Sequence, residues 1–155
     1  MSTIFLRKTP GGFVPEGGRD QDALRRFKIG EVVKAEVTKP RNLVFFRKWW
    51  ALVDVGFGLW EELCPPMQFR GQEVRPNPER FRKDLTILAG YGHPVINLNG
   101  EVRFEADSIA FGNMSEEDFE KLYSATIDVI LNKVLAGKVS EARLREMVSA
   151  VLEFA

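Results

Sequence analysis

The side chains in this sequence best suited to chemistry are cations interleaved with aromatic rings: Lys39, Arg41, Asn42, Arg47, Lys48, Trp49 and Trp50. Arg25, Arg26 and Lys28 precede them, and Arg70, Arg75, Arg80, Arg82 and Lys83 follow. Lysine and arginine fix phosphates, and an exposed ring stacks on an unpaired base for roughly 1 to 3 kcal/mol; together these are the chemistry of single-strand binding. The same residues have a plainer use. Most of the aromatics fall on the apolar arc of one helix, so Trp49 reads as core, while Trp50 on the border reads equally as packing or as a stacking platform.

Catalytic groupings are scarce. His93 is the only histidine and sits between Gly92 and Pro94 with no nucleophile paired to it in sequence, so it reads as structural or solvent-exposed. Cys64, before Pro65 and Pro66, reads as a small packed side chain. One cysteine and one histidine exclude a Cys/His zinc site and an internal disulfide, and leave only carboxylates as metal ligands. The run Glu116-Glu117-Asp118 suits the first turn of a helix, where the dipole favours acids. The phosphate-loop, dinucleotide and zinc-deaminase patterns are missing, so the expectation is a non-enzyme with no catalytic residues, no metal and no cofactor.

The elements that must carry these residues follow from periodicity. Arg41 to Leu63 is the strongest helix, with Phe45, Trp49, Leu52, Trp60 and Leu63 within one arc and Arg47, Asp54 and Glu61 opposite. Gly56 and Gly58 each weaken it by roughly 0.8 to 1 kcal/mol, which predicts a kink or a close backbone approach. Before it, strands are predicted at 3–6 and 31–38 and a helix from Arg19 or Asp20 to about Gly30. After it, 67–78 reads as an exposed loop, 85–89 as a strand, and 95–98 with 102–104 as a hairpin turning at Asn99-Gly100, with 108–111 extending its second strand. Ser115 and Ser140 cap two C-terminal helices separated by Gly137. The expected fold is α+β: a small antiparallel sheet with a long aromatic-rich helix and two C-terminal helices packed on it.

Size and charge set the frame. The chain has 155 residues, 45% of them hydrophobic and 28% charged, which fits a single domain able to bury a core without staples. Its 22 basic and 22 acidic residues cancel, yet residues 1–83 hold 16 basic and 10 acidic, or +6, and residues 84–155 hold 6 and 12, or −6. Such asymmetry points to an anionic partner for the basic half. No signal-peptide-like start and no apolar run of spanning length is present, so the expectation is a cytosolic protein without a membrane partner.

At Arg41-Asn42 followed by Arg47-Lys48-Trp49-Trp50-Ala51-Leu52, the whole chain resembles an uncharacterised family of small proteins encoded by tailed bacteriophages and prophages. A short N-terminal strand before the Gly12 to Pro15 loop, and Asp107-Ser108-Ile109-Ala110-Phe111 running to Met114, Phe119 and Tyr123-Ser124, carry the rest of that likeness. The Arg-Asn, Arg-Lys-aromatic pattern is also similar, more distantly, to the NinB (Orf) family of phage recombination proteins, at Arg41, Asn42, Arg47, Lys48, Trp50, Ala51 and Leu52. That resemblance implies a dimer that prefers single-stranded DNA and helps load recombinases onto strands coated by single-strand-binding protein. The gap between the two basic pairs is two residues shorter here, and two residues turn a helix by about 200°, so the pairs face differently than in that family.

The expected function is therefore a phage-encoded, non-enzymatic accessory protein of DNA recombination or replication in the cytoplasm of an infected or lysogenic host. It would bind DNA, single-stranded by preference, or a host or phage single-strand-binding or recombination protein, as a homodimer. Arg41, Arg47 and Lys48 would contact phosphate, Asn42 would cap the helix or bond a backbone, and Trp50 would stack. The alternative is a host-targeting, protein-binding module or inhibitor acting through the acidic C-terminal helices, Glu116 to Glu120 and Asp128; a carboxylate-metal nuclease is a third reading.

Overall fold

In a computed structural model of the chain, which describes residues 4–37 and 42–154, two compact units are separated: Met1–Lys39 with Glu153–Ala155, and Pro40–Leu152. In the first, β1 (Leu6–Thr9) and β2 (Gly12–Pro15) form an antiparallel ribbon, followed by the short helix α1 (Gly18–Leu24). Asp20 anchors the helix to the ribbon: its carboxylate, almost fully buried, accepts from Phe5 N at 2.9 Å. β1 begins at Leu6, the last residue of the strand predicted at 3–6, whose first residue lies outside the described ones, and α1 ends well before Gly30. Residues 31–37 belong to no strand and are exposed, with Val32 97% accessible, so the predicted half-buried strand at 31–38 is corrected over these residues, Thr38 lying outside the described ones. Alternation of Val33, Ala35 and Val37 supplies a face, but no described strand offers it an edge.

The second unit is built on α2 (Leu43–Leu63). Asn42 starts it by accepting Phe45 N on Oδ1 at 3.2 Å, which satisfies one of the helix's orphan donors. Its inner face buries Trp49, Leu52, Val53 and Val55 against α3 (Pro78–Leu88) and α4 (Glu116–Val129), while Leu63, predicted on the same arc, is 43% exposed. At Gly56 the close neighbour is a side chain and not the expected backbone: a Cβ there would stand 2.8 Å from Ile130 Cδ1. Nothing lies within 4 Å of the equivalent position at Gly58.

After α2 come β3 (Met67–Phe69) and β4 (Gln72–Val74), a ribbon where a loop was expected. Its two-residue turn is Arg70-Gly71, both with positive φ, the type I′ geometry that matches strand twist. α3 replaces the predicted strand at 85–89: Asn77 caps it through Arg80 N at 2.8 Å and Pro78 occupies the first turn, a start signal that outweighs the apolar run behind it. β5 (Gly92–Ile96) and β6 (Val102–Ala106) make the expected hairpin, but its loop spans Asn97 to Glu101, with Asn97 Oδ1 accepting Asn99 N and Glu101 N. Residues 108–111 do not extend β6; a single 3₁₀ turn, Phe111–Asn113, follows.

α4 is capped as expected, Ser115 Oγ accepting Asp118 N at 3.1 Å, and runs into one π turn, Ile130–Val134, before α5 (Glu141–Glu153) capped by Ser140. Phe119, Leu122, Tyr123, Thr126 and Ile130 are buried, as the 3.6-residue period requires. The architecture is α+β, with five α-helices and three separate two-stranded antiparallel ribbons among the described residues. The core of the second unit is made by helices, and its β5–β6 ribbon packs on α3. No helix among the described residues is long and apolar enough to cross a membrane.

Candidate nucleic-acid interface

The predicted site residues separate on α2. Arg41 lies outside the described residues. Asn42 spends its side-chain oxygen on the helix cap. Lys48 turns toward α4, its Nζ 3.5 Å from Glu120 Oε1 and 4.5 Å from the centre of the Tyr123 ring. Basic and acidic segments of the sequence thus meet inside one unit, which as a whole carries 14 basic and 16 acidic residues. Trp49 is core, 1% exposed, with its Nε1 donating to Thr126 Oγ1 at 3.2 Å. Arg47 is exposed, three residues before Trp50 and so on the neighbouring helix surface.

Trp50 is where the geometry becomes informative. Its ring is half-buried beside Phe46, 5.8 Å between centroids, and edge-on to Trp49 at 5.5 Å. The guanidinium of Arg82 stands over it at 5.7 Å, within cation–π range. Its Nε1 is buried and has no hydrogen-bond partner among the described residues. A buried indole N–H without an acceptor costs about 1 to 3 kcal/mol, so such a donor calls for an explanation.

Trp50 lines a cavity of about 270 Å³ whose other walls are Phe46, Trp49 and Phe111 on the apolar side and Arg82, Asp107 and Ser108 on the polar side. Local structure places each polar group. α3 presents Arg82, whose Nη2 and Nε donate to the two oxygens of Glu79 at 2.8 and 3.3 Å; that guanidinium holds the Glu79 carboxyl below its ordinary range. The β5–β6 ribbon presents Asp107, tied by its N–H to Tyr91 O at 3.0 Å. Gly92 lets the ribbon lie on α3, since a Cβ there would meet Glu105 O at 3.0 Å and Ile87 Cγ1 at 3.1 Å. His93 then reaches Asp107, Nδ1 to Oδ1 at 2.7 Å. A carboxylate can only accept, so the bond fixes the proton on Nδ1 and holds the Asp107 carboxyl in place.

Sequence reading singled out Trp50 and named Arg82 among the cations that follow it, but placed neither Arg82 nor Asp107 in the site and missed the His93 pairing. The Asn77-Pro78 start would have put Arg82 on a helix, whereas a hairpin turning at Asn99-Gly100 would have set His93 opposite Ala106, one residue off the observed pairing with Glu105. In a larger hollow of about 480 Å³, bounded by Trp60, Cys64, Met67 and Leu88, Arg75 pairs with Glu73 and Arg80 with Asp84, and Lys133 also lines the wall. Among the described residues no group of three or more His, Cys, Asp and Glu is placed to hold a metal ion.

Comparison with known proteins adds a family. The model of the family described as protein of unknown function (DUF1367) matches residues 1–75 and 69–154, nearly the whole chain, which belongs to that family. No curated protein and no solved structure matches it.

Proposed function

We propose that this DUF1367 protein is a phage-encoded, non-enzymatic accessory protein of DNA recombination or replication that holds single-stranded DNA, with one unpaired base seated beside Trp50. The observation that carries this reading is a recess walled by the rings of Phe46, Trp50 and Phe111, with Arg82 over the Trp50 indole. Rings and a guanidinium plane are what unstacked bases settle on, and a duplex base has no access to such a recess. Arg47, exposed on the same helix, meets the adjoining phosphate, and Arg41 extends that contact. Lys48 acts through α4 instead, because Glu120 and Tyr123 hold it.

A homodimer in the bacterial cytoplasm, working beside a host or phage single-strand-binding or recombination protein, completes the reading. Pro94, Ile96, Val102 and Phe104 share one exposed face of the β5–β6 ribbon, and Ile96 and Val102 are 75% and 63% accessible. An apolar face of this kind marks protein contact. The same face, with the acidic first turn of α4, favours the second reading, a host-targeting protein-binding module. The test is fluorescence anisotropy with a labelled oligothymidylate across a salt series. Binding that weakens as salt rises, and that drops about tenfold or more in Trp50→Ala, supports the proposal. Absence of binding at low salt sinks it, and capture of a host protein that survives high salt and nuclease favours the second reading.

A further inference from the structure

We infer that the cavity beside Trp50 accepts guanine in preference to the other bases. The inference rests on the reading above for its strand, but its chemistry comes from the polar wall alone. The cavity is only about 270 Å³, below the roughly 300 Å³ at which sites for drug-sized ligands begin, so it suits one ring system and not a run of nucleotides.

Its donors and acceptor lie on different elements. On the helical side stands Arg82, of whose five N–H groups Glu79 engages those on Nε and Nη2. Arg82 is 19% exposed, so its unengaged N–H groups sit at a sheltered wall. On the ribbon side stands the Asp107 carboxylate, which accepts only; Oδ1 receives His93 and keeps a lone pair, and Oδ2 is unengaged among the described residues. A ligand that satisfies both sides is flat, offers adjacent acceptors along one edge and adjacent donors along another. Guanine has O6 and N7 on one edge and N1–H and the 2-amino group on the other. Thymine sets a single N–H between two carbonyls, and cytosine and adenine carry one exocyclic donor beside a ring nitrogen that would face the Asp107 carboxylate lone pair to lone pair. His93 is the positioning residue here, since it orients the carboxylate without lining the cavity.

The experiment compares the full-length protein on alternating thymidine–guanosine and thymidine–inosine oligonucleotides, which differ only in the 2-amino group, and on free guanosine monophosphate. The guanosine strand is expected to bind about tenfold tighter than the inosine strand, with the ratio falling to near one in Asp107→Asn. Equal affinity of the wild-type protein for the two strands overturns the guanine inference and leaves the single-strand reading standing. Binding of guanosine monophosphate without binding of any strand upholds the cavity chemistry and overturns the strand reading. Binding of neither overturns both.

Discussion

Trp49 Nε1 donates to Thr126 Oγ1 at 3.2 Å, and Thr126 passes its own proton to Leu122 O at 2.8 Å. The adjacent indole of Trp50 has no such arrangement: its N–H is equally buried and has no acceptor among the described residues. Two neighbouring tryptophans on one helix thus differ in how their indole N–H groups are satisfied: the fold pairs that of Trp49 and leaves that of Trp50 without an acceptor among the described residues.

Thr126 measures the cost of an unfinished indole. Thr126→Val keeps the shape and removes the acceptor, leaving Trp49 in the position Trp50 already occupies. Thr126 is 1% exposed, so water cannot substitute. Urea denaturation is expected to show a loss of about 1 to 3 kcal/mol; a neutral result would mean that the indole finds another partner.

The two glycines of α2 are predicted to respond with opposite sign. At Gly58 nothing lies within 4 Å of the place a Cβ would take, and Gly58→Ala should stabilise by about 0.5 to 1 kcal/mol through the helix backbone alone. At Gly56 the same carbon would stand 2.8 Å from Ile130 Cδ1, and Ile130 is fully buried at the π turn. Overpacking there costs about 1 to 3 kcal/mol and should outweigh the propensity gain. Thermal melts of the two variants side by side check the pair.

Acid should loosen the polar wall. Arg82 hydrogen-bonds both oxygens of Glu79 and lowers its carboxyl pKa in the folded protein; burial opposes this less strongly, and the charge of Lys83 adds to it. A depressed folded value means the contribution is fully present above the unfolded carboxyl range, near about pH 4.3, and is lost as pH falls through the folded value. Because the Glu79 side chain is 44% exposed, the effect is modest. Denaturation midpoints taken through this range should fall less steeply in Glu79→Gln than in the wild-type protein.

Much of the second unit was legible because its helices announce their ends. Asn42, Ser115 and Ser140 each cap where their residue types imply, and Gly56 marks a tight spot, though against the Ile130 side chain and not a backbone. What failed to read was set by partners distant in sequence. Residues 31–37 alternate as a strand should, but a strand also needs an edge. Arg70 takes a left-handed conformation that its residue type does not favour, which hid the β3–β4 turn. The site divides the same way: Trp50 stood out from helical periodicity, whereas Arg82 and Asp107 converge on it only once α3 and the β5–β6 ribbon are folded onto α2.

The most direct measurement is the ¹H–¹⁵N spectrum of the three indole N–H groups, with Trp50 assigned by Trp50→Phe, during titration with a guanosine-containing single strand. The Trp50 signal is predicted to move, saturably and in step with the binding isotherm, as a base comes to lie against its ring. The Trp49 signal, already bonded to Thr126, is predicted to stay. A strand that binds while the Trp50 indole signal stays unmoved would contradict the account.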